Sequence, residues 1–300
     1  MVASIATRPL ATMIATRIGP RSERKPTSLR PLLLGTRSIL VHVTLALLAL
    51  LIVVLGVLLF RAVTRERRDY ARFKRLRSTM LRRRVFRRWA IESWLILGGL
   101  AGVVLLAAHP FVPPALESAR RWGPLAAIPY GTDGAAAVVA GFAVGVVLVM
   151  VVPILLLRRQ VDEVPAIGDI RALLPRNRGE LPYGATLGLT AGIVEELLFR
   201  LALPALLFGV LKGFPGVGIP DAGALSFGIA ALLFGALHLY QGPLGVLFAF
   251  ILGLLFTLLY LVTGSILAPI ALHVLIDLRS LVLIPIALGG AWKLGDTLAR

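Results

Sequence analysis

The sequence predicts an all-α protein, a polytopic membrane helix bundle of about seven transmembrane helices. Three observations carry this expectation. Hydrophobic residues make up 58% of the 300 and mean hydropathy is +0.88, whereas a soluble domain is nearer half apolar. Several apolar runs reach the ~18–20 residues that a helix needs to cross the hydrocarbon layer. Charge is segregated from those runs: positions 1–88 hold 20 of the 32 Lys/Arg residues, outside the apolar stretches. There are no cysteines, so disulfides, thiolate catalysis and cysteine-based metal sites are excluded.

In chain order, residues 1–37 are rich in Arg, Ser, Thr and Pro with a single acid, Glu23. They read as a basic, disordered extension, although a transit peptide shares that composition. The first span is about Ser38–Phe60, with His42 near its start at the interface. Residues 61–88 carry thirteen Lys/Arg against Glu66 and Asp69. The positive-inside rule places this loop in the cytoplasm, where it could lie as a helix on anionic lipid. The net charge of +17 therefore points to a membrane surface. With few interleaved aromatics and no fold motif, no nucleic-acid partner is expected. A second span, about Ala90–Ala108, should break at His109-Pro110 and Pro113-Pro114, followed by a short interfacial helix around Leu116–Trp122. The third, about Ala135–Leu157, contains Gly141-x-x-x-Gly145, a weak close-packing motif. Arg158-Arg159 end it, and 160–180 read as an inner loop. Residues 38–180 are thus expected to form a three-helix unit, 181–290 a four-helix core and 291–300 a tail.

From 181 to 290 only Glu195, Glu196, Arg200, Lys212, Asp221, Asp277 and Arg279 are formally charged. Lys212 and Asp221 fall in a Gly/Pro-rich loop, 213–223. The other five lie in apolar runs, the pattern of a functional interior. The fourth span, about Pro182–Leu211, repeats Gly184, Gly188 and Gly192. That stripe lets another helix approach closely, and continued along the helix it reaches Glu195, Glu196 and Phe199. Glu196 and Arg200 are one turn apart and can pair. Glu195 points about 100° away from Glu196 and is left for another partner. Pro204 should kink the helix just after Arg200. The fifth span, about Ala224–Tyr240, carries Phe234-x-x-x-His238. The sixth is about Leu244–Val262. The seventh, about Ser265–Leu288, carries His273-x-x-x-Asp277 and then Arg279. His238 and His273 are the only histidines of this half. A lone histidine on an apolar helix is usually structural, but three i,i+4 pairs in order with Glu195 beside the first are hard to explain as packing.

Glu195-Glu196-x-x-x-Arg200, Phe234-x-x-x-His238 and His273-x-x-x-Asp277 resemble the three motifs of the CAAX-protease and bacteriocin-processing family. These are intramembrane endopeptidases that include the type II CAAX prenyl proteases. The resemblance covers about 182–285 and implies that Glu195 and His238 activate water. Glu196 with Arg200 would be a structural ion pair. In the family the third motif serves the oxyanion with a histidine and an asparagine or aspartate, here His273 and Asp277. Ionised aspartate cannot donate a hydrogen bond, so Asp277 is expected instead to fix the tautomer of His273 or to pair with Arg279. The family is described both with and without a metal; with no HExxH motif present, no cofactor is expected here. The alternative is zinc held by Glu195, His238 and His273 with a water in the fourth position. The implied substrate is a membrane-associated peptide or protein within the lipid bilayer, and the implied location is a bacterial inner membrane. The competing class is a non-catalytic immunity or scaffold protein, or a transporter with the same buried polar site.

Overall fold

The computed structural model describes residues 30–128, 130, 133–157 and 168–287. Most of the 1–37 extension, Arg158-Arg159, much of the inner loop and the 291–300 tail lie outside the described residues. Met1–His42 and Val43–Arg300 are two compact units. The described residues contain helices and no strand. In order these are α1 (Arg30–Phe60), α2 (Glu66–Lys74), α3 (Thr79–Ser93), α4 (Gly99–Ala108), α5 (Val112–Arg120), α6 (Gly123–Ala126) and α7 (Asp133–Leu157), then α8 (Leu181–Glu196), α9 (Leu203–Leu211), α10 (Ile219–Leu237), α11 (Gly242–Thr263), α12 (Leu267–Leu278) and α13 (Ile284–Ala287).

The protein is an all-α membrane helix bundle. Among the described residues, five stretches are long and apolar enough to cross a membrane: Val41–Lys74, Thr79–Arg120, Ile219–Leu237, Leu239–Thr263 and Leu267–Ala287. Leu106 and Leu95 on the second are 84% and 72% exposed, which suits a face turned to lipid. α8 and α9 also form a long helical stretch, joined by a π turn at Leu197–Ala202. It differs from the five in carrying Glu195, Glu196 and Arg200.

Several elements depart from the sequence expectation for identifiable reasons. The basic segment 61–88 is largely helical: a π turn at Arg61–Arg65, then α2, then α3 capped by the Ser78 hydroxyl. Tyr70, Phe73 and Phe86 bury one face of this pair against Trp89 and Tyr183. His109-Pro110 does not end the helical path but turns it through a 3-10 step at His109–Phe111. The short helix after it starts earlier than expected, at Val112, because Pro113 and Pro114 sit in its first turn, where no amide proton is needed. The same logic starts α10 at Ile219, with Pro220 in its first turn. Gly223 lies inside that helix because a Cβ there would stand 2.4 Å from the Ala119 nitrogen of α5. Among the described residues nothing lies within 4 Å of a Cβ at Gly141 or Gly145. Before Pro204, where a kink is expected, the chain makes the π turn Leu197–Ala202. A wider turn relieves the clash between the proline ring and the carbonyl four residues back.

Helices from both halves share one core. Leu47, Leu51, Val54 and Leu58 of α1 and Ala101 and Val104 of α4 pack in the same cluster as Leu198, Phe199, Leu203, Phe234, Phe256 and Leu272. Val43–Arg300 is therefore one packed body across position 180.

Candidate active site

The site is built on the contact between α8 and α12. The glycine stripe of α8 faces α12 directly. A Cβ at Gly184 would meet Leu281, one at Gly188 would lie 2.9 Å from Asp277 Cβ, and one at Gly192 would lie 2.9 Å from the Val274 backbone nitrogen. The helices are antiparallel along this stripe, and its next turn brings Glu196 to His273. His273 Nδ1 lies 2.7 Å from Glu196 Oε1. The other carboxylate oxygen, Oε2, is 3.1 Å from Arg200 Nε, the i,i+4 partner that the spacing suggests. Glu196 and Arg200 are 0% and 1% exposed. A buried pair of this kind needs further partners to offset its desolvation. Arg200 has three: its Nη2 donates to the Gly253 carbonyl at 3.3 Å, and its guanidinium lies 4.4 Å from the Phe234 ring and 5.2 Å from the Phe256 ring.

His273 is held on every side. Phe256 stacks on it at 5.0 Å and Phe234 meets it edge-on at 5.8 Å. Its Nε2 is 3.8 Å from Asp277 Oδ2, an ion-pair distance rather than a hydrogen bond. An ionised carboxylate only accepts, so the proton on Nδ1 points at Glu196. Glu196, not Asp277, therefore sets the tautomer of His273. Nor does Asp277 pair with Arg279 among the described residues. Both expectations for Asp277 give way because α8 supplies the nearer carboxylate across the helix contact.

His238 ends α10. Its Nδ1 donates to the Phe234 carbonyl at 2.8 Å, which leaves Nε2 with a lone pair. Its ring lies 5.0 Å from Phe234 and stacks on Tyr240 at 6.0 Å. Glu195 is half-buried and forms no hydrogen bond or ion pair among the described residues. It is within electrostatic reach of His273, Glu196 and Arg200, and Asp277 is in turn within reach of Glu195, His238 and His273. The three motifs thus meet around one spot, with Glu196 rather than Glu195 in direct contact with His273. Among the described residues no group of three or more histidines or carboxylates is gathered closely enough to hold a metal.

Sequence reasoning missed three contributors. Phe256 lies in an apolar run with nothing to mark it. Tyr240 follows His238 by two residues and is set against it by a 3-10 turn at Leu239–Gln241. Glu66 comes from the basic segment and is within electrostatic reach of Glu195 and His238.

Residues 177–279, a little over a third of the chain, match the family model described as type II CAAX prenyl endopeptidase Rce1-like. That segment is similar to the CAAX-protease family. The match contains all seven residues of the three motifs, so the resemblance read from them is borne out over this segment. The activity that goes with the CAAX-protease family is endopeptidase activity, and its setting is the membrane. No curated protein and no solved structure matches the chain.

Proposed function

We propose that this protein is an intramembrane endopeptidase that hydrolyses a peptide bond of a membrane-associated substrate, with water activated by Glu195 and His238. The observation that carries this reading is the division of labour between two adjacent glutamates. Glu196 is fully committed to Arg200 and His273. Glu195, one residue earlier and half-buried, has no such partner among the described residues. A carboxylate kept free in an apolar site is suited to act as a general base. The fixed tautomer of His238 leaves Nε2 to accept a hydrogen bond from the same water. Glu196, through His273, braces α12 against α8. The reading routes no step through a metal.

The family description points to a substrate with a prenylated C-terminal segment, and a bacteriocin leader or a sorting tail would pose the same chemical problem. The exposed arginines of α2 and α3 suit the cytoplasmic face of a bacterial inner membrane. The test is a comparison of membrane-protein termini in cells carrying wild-type or Glu195→Ala protein. Unprocessed termini should accumulate in the variant at normal abundance of the protein itself. Identical termini in both strains would move the non-catalytic reading to first place.

A further inference from the structure

Cleaving a peptide bond with activated water creates an oxyanion, and a site without a donor for it forgoes a large part of the catalysis. In this chain the three motifs offer few free donors for that role. Asp277 and Glu195 are carboxylates and, when ionised, only accept. His238 spends its Nδ1 proton on the Phe234 carbonyl. His273 spends its Nδ1 proton on Glu196, and its Nε2 faces Asp277. Arg200 is 1% exposed, ion-paired with Glu196 and enclosed by the Phe234 and Phe256 rings, and its Nε and Nη1 have no hydrogen-bond acceptor among the described residues.

We propose that Tyr240 is a further catalytic residue, whose phenol O–H donates to the oxyanion at the scissile carbonyl. Its ring stacks on His238 at 6.0 Å with the planes 28° apart, and Tyr70 meets its other side edge-on at 5.1 Å. Its oxygen accepts a hydrogen bond from Gln241 Nε2 at 2.9 Å, which holds the phenol in place and polarises its own proton outward. Through that stacking on His238, Tyr240 borders the spot where the motifs meet. The turn that carries it is anchored from outside: the Asp169 amide donates to the Gln241 carbonyl at 2.9 Å. Gly168, at φ 78°, lies so close that a Cβ there would stand 2.9 Å from the same oxygen. A donor on a backbone fixed in this way needs little reorganisation when charge develops.

The assignment rests on the peptidase reading and completes its proton balance. The water oxygen bonds to the carbonyl carbon, one water proton passes to Glu195, and the carbonyl π pair moves onto oxygen. That oxyanion accepts from Tyr240, which keeps its proton. When the C–N bond breaks, the oxyanion pair re-forms the carbonyl and the departing nitrogen takes the proton from Glu195. The product carboxyl and amine leave both side chains as they began.

The experiment follows processing of the membrane protein that accumulates in the Glu195→Ala strain, by pulse–chase, with wild-type, Tyr240→Phe and Tyr240→Leu protein. Tyr240→Phe keeps the stacked ring and loses only the O–H. It should slow processing about 10²–10³-fold at wild-type melting temperature. A Tyr240→Phe rate within about threefold of wild type, with Tyr240→Leu impaired, would reduce Tyr240 to a packing residue and overturn the assignment. So would a Tyr240→Phe protein that melts far below wild type, since the hydroxyl would then be structural. Wild-type processing in Glu195→Ala itself would bring down the peptidase reading and this assignment together. An inactive Glu195→Ala beside a fully active Tyr240→Phe would sink the assignment alone.

Discussion

Substituting Gly192 by alanine tests whether the α8–α12 contact sets the site geometry. The new methyl would lie 2.6 Å from Val274 Cγ2, 2.9 Å from the Val274 nitrogen and 3.2 Å from its Cα. The first neighbour is a side-chain methyl that can rotate. The other two are backbone and yield only if the helices part. Carbon contacts are comfortable at about 3.5–4.0 Å, so α12 must retreat by about 0.7–1 Å. His273 adjoins Val274 and moves with it. Its 2.7 Å bond to Glu196 would then stretch to about 3.5 Å, past useful hydrogen-bond length. Overpacking of this kind costs about 1–3 kcal/mol, and misplacing a catalytic group by about 1 Å can cost about 10²-fold in rate. The assay is melting of the purified protein in detergent together with processing rate, with Gly228→Ala as control because nothing lies within 4 Å of a Cβ there. Gly192→Ala should lose both stability and rate while Gly228→Ala keeps both. A Gly192→Ala protein indistinguishable from the control would refute the argument that this close approach positions His273.

Two further outcomes follow from buried charges. Arg82 and Glu180 are both 0% exposed and paired at 3.0 Å, and Arg82 Nη2 also donates to the Ala172 and Leu174 carbonyls. Arg82→Ala should cost about 3–5 kcal/mol by leaving Glu180 buried without its cation, with only the Arg176 amide and the Asn177 side chain still donating to it, and Arg82→Lys should not restore it, because an ammonium cannot span the same partners; unchanged melting of Arg82→Ala would count against this. Asp277→Asn keeps the size of the side chain and removes its charge 3.8 Å from His273 Nε2. If that charge steadies His273 as proton movements occur beside it, the rate should fall without loss of abundance, and an unimpaired or faster variant would assign the position a hydrogen-bonding role instead.

The bundle was legible because apolar runs of membrane length leave few alternatives. The motif pairs were legible because i,i+4 spacing is a property of one helix, as Glu196 with Arg200 illustrates. Contacts between helices were harder. The glycine stripe announced that some helix would approach α8, but not that Val274, Asp277 and Leu281 would be the residues opposite. That register decides that His273 meets Glu196 rather than Glu195. The starts of α5 and α10 lie before the points the sequence suggests, because a proline that looks like a break costs nothing in a first helical turn. Phe256 and Tyr240 escaped because an aromatic residue beside a histidine has no periodic signature until the chain is folded.

The family match begins at residue 177, yet the site is not enclosed by residues 177–279 alone. A Cβ at Gly98 would lie 3.5 Å from Val194, on the face of α8 opposite the one that meets α12. Leu198 and Phe199, on the turn after Glu196, are buried in a cluster with α1 and α4 side chains. Tyr240 leans on Tyr70, and Glu66 reaches Glu195 and His238 electrostatically. The helices before position 177 therefore form one wall of the site. That wall brings a third carboxylate towards the proposed base, which by itself would repel the negative charge on Glu195. Arg61 pairs with Glu66 and so offsets the repulsion. The pair lies where the π turn at Arg61–Arg65 passes into α2. A widened turn there lets a cation and an anion five residues apart meet, so the wall can be polar without imposing a net charge on Glu195.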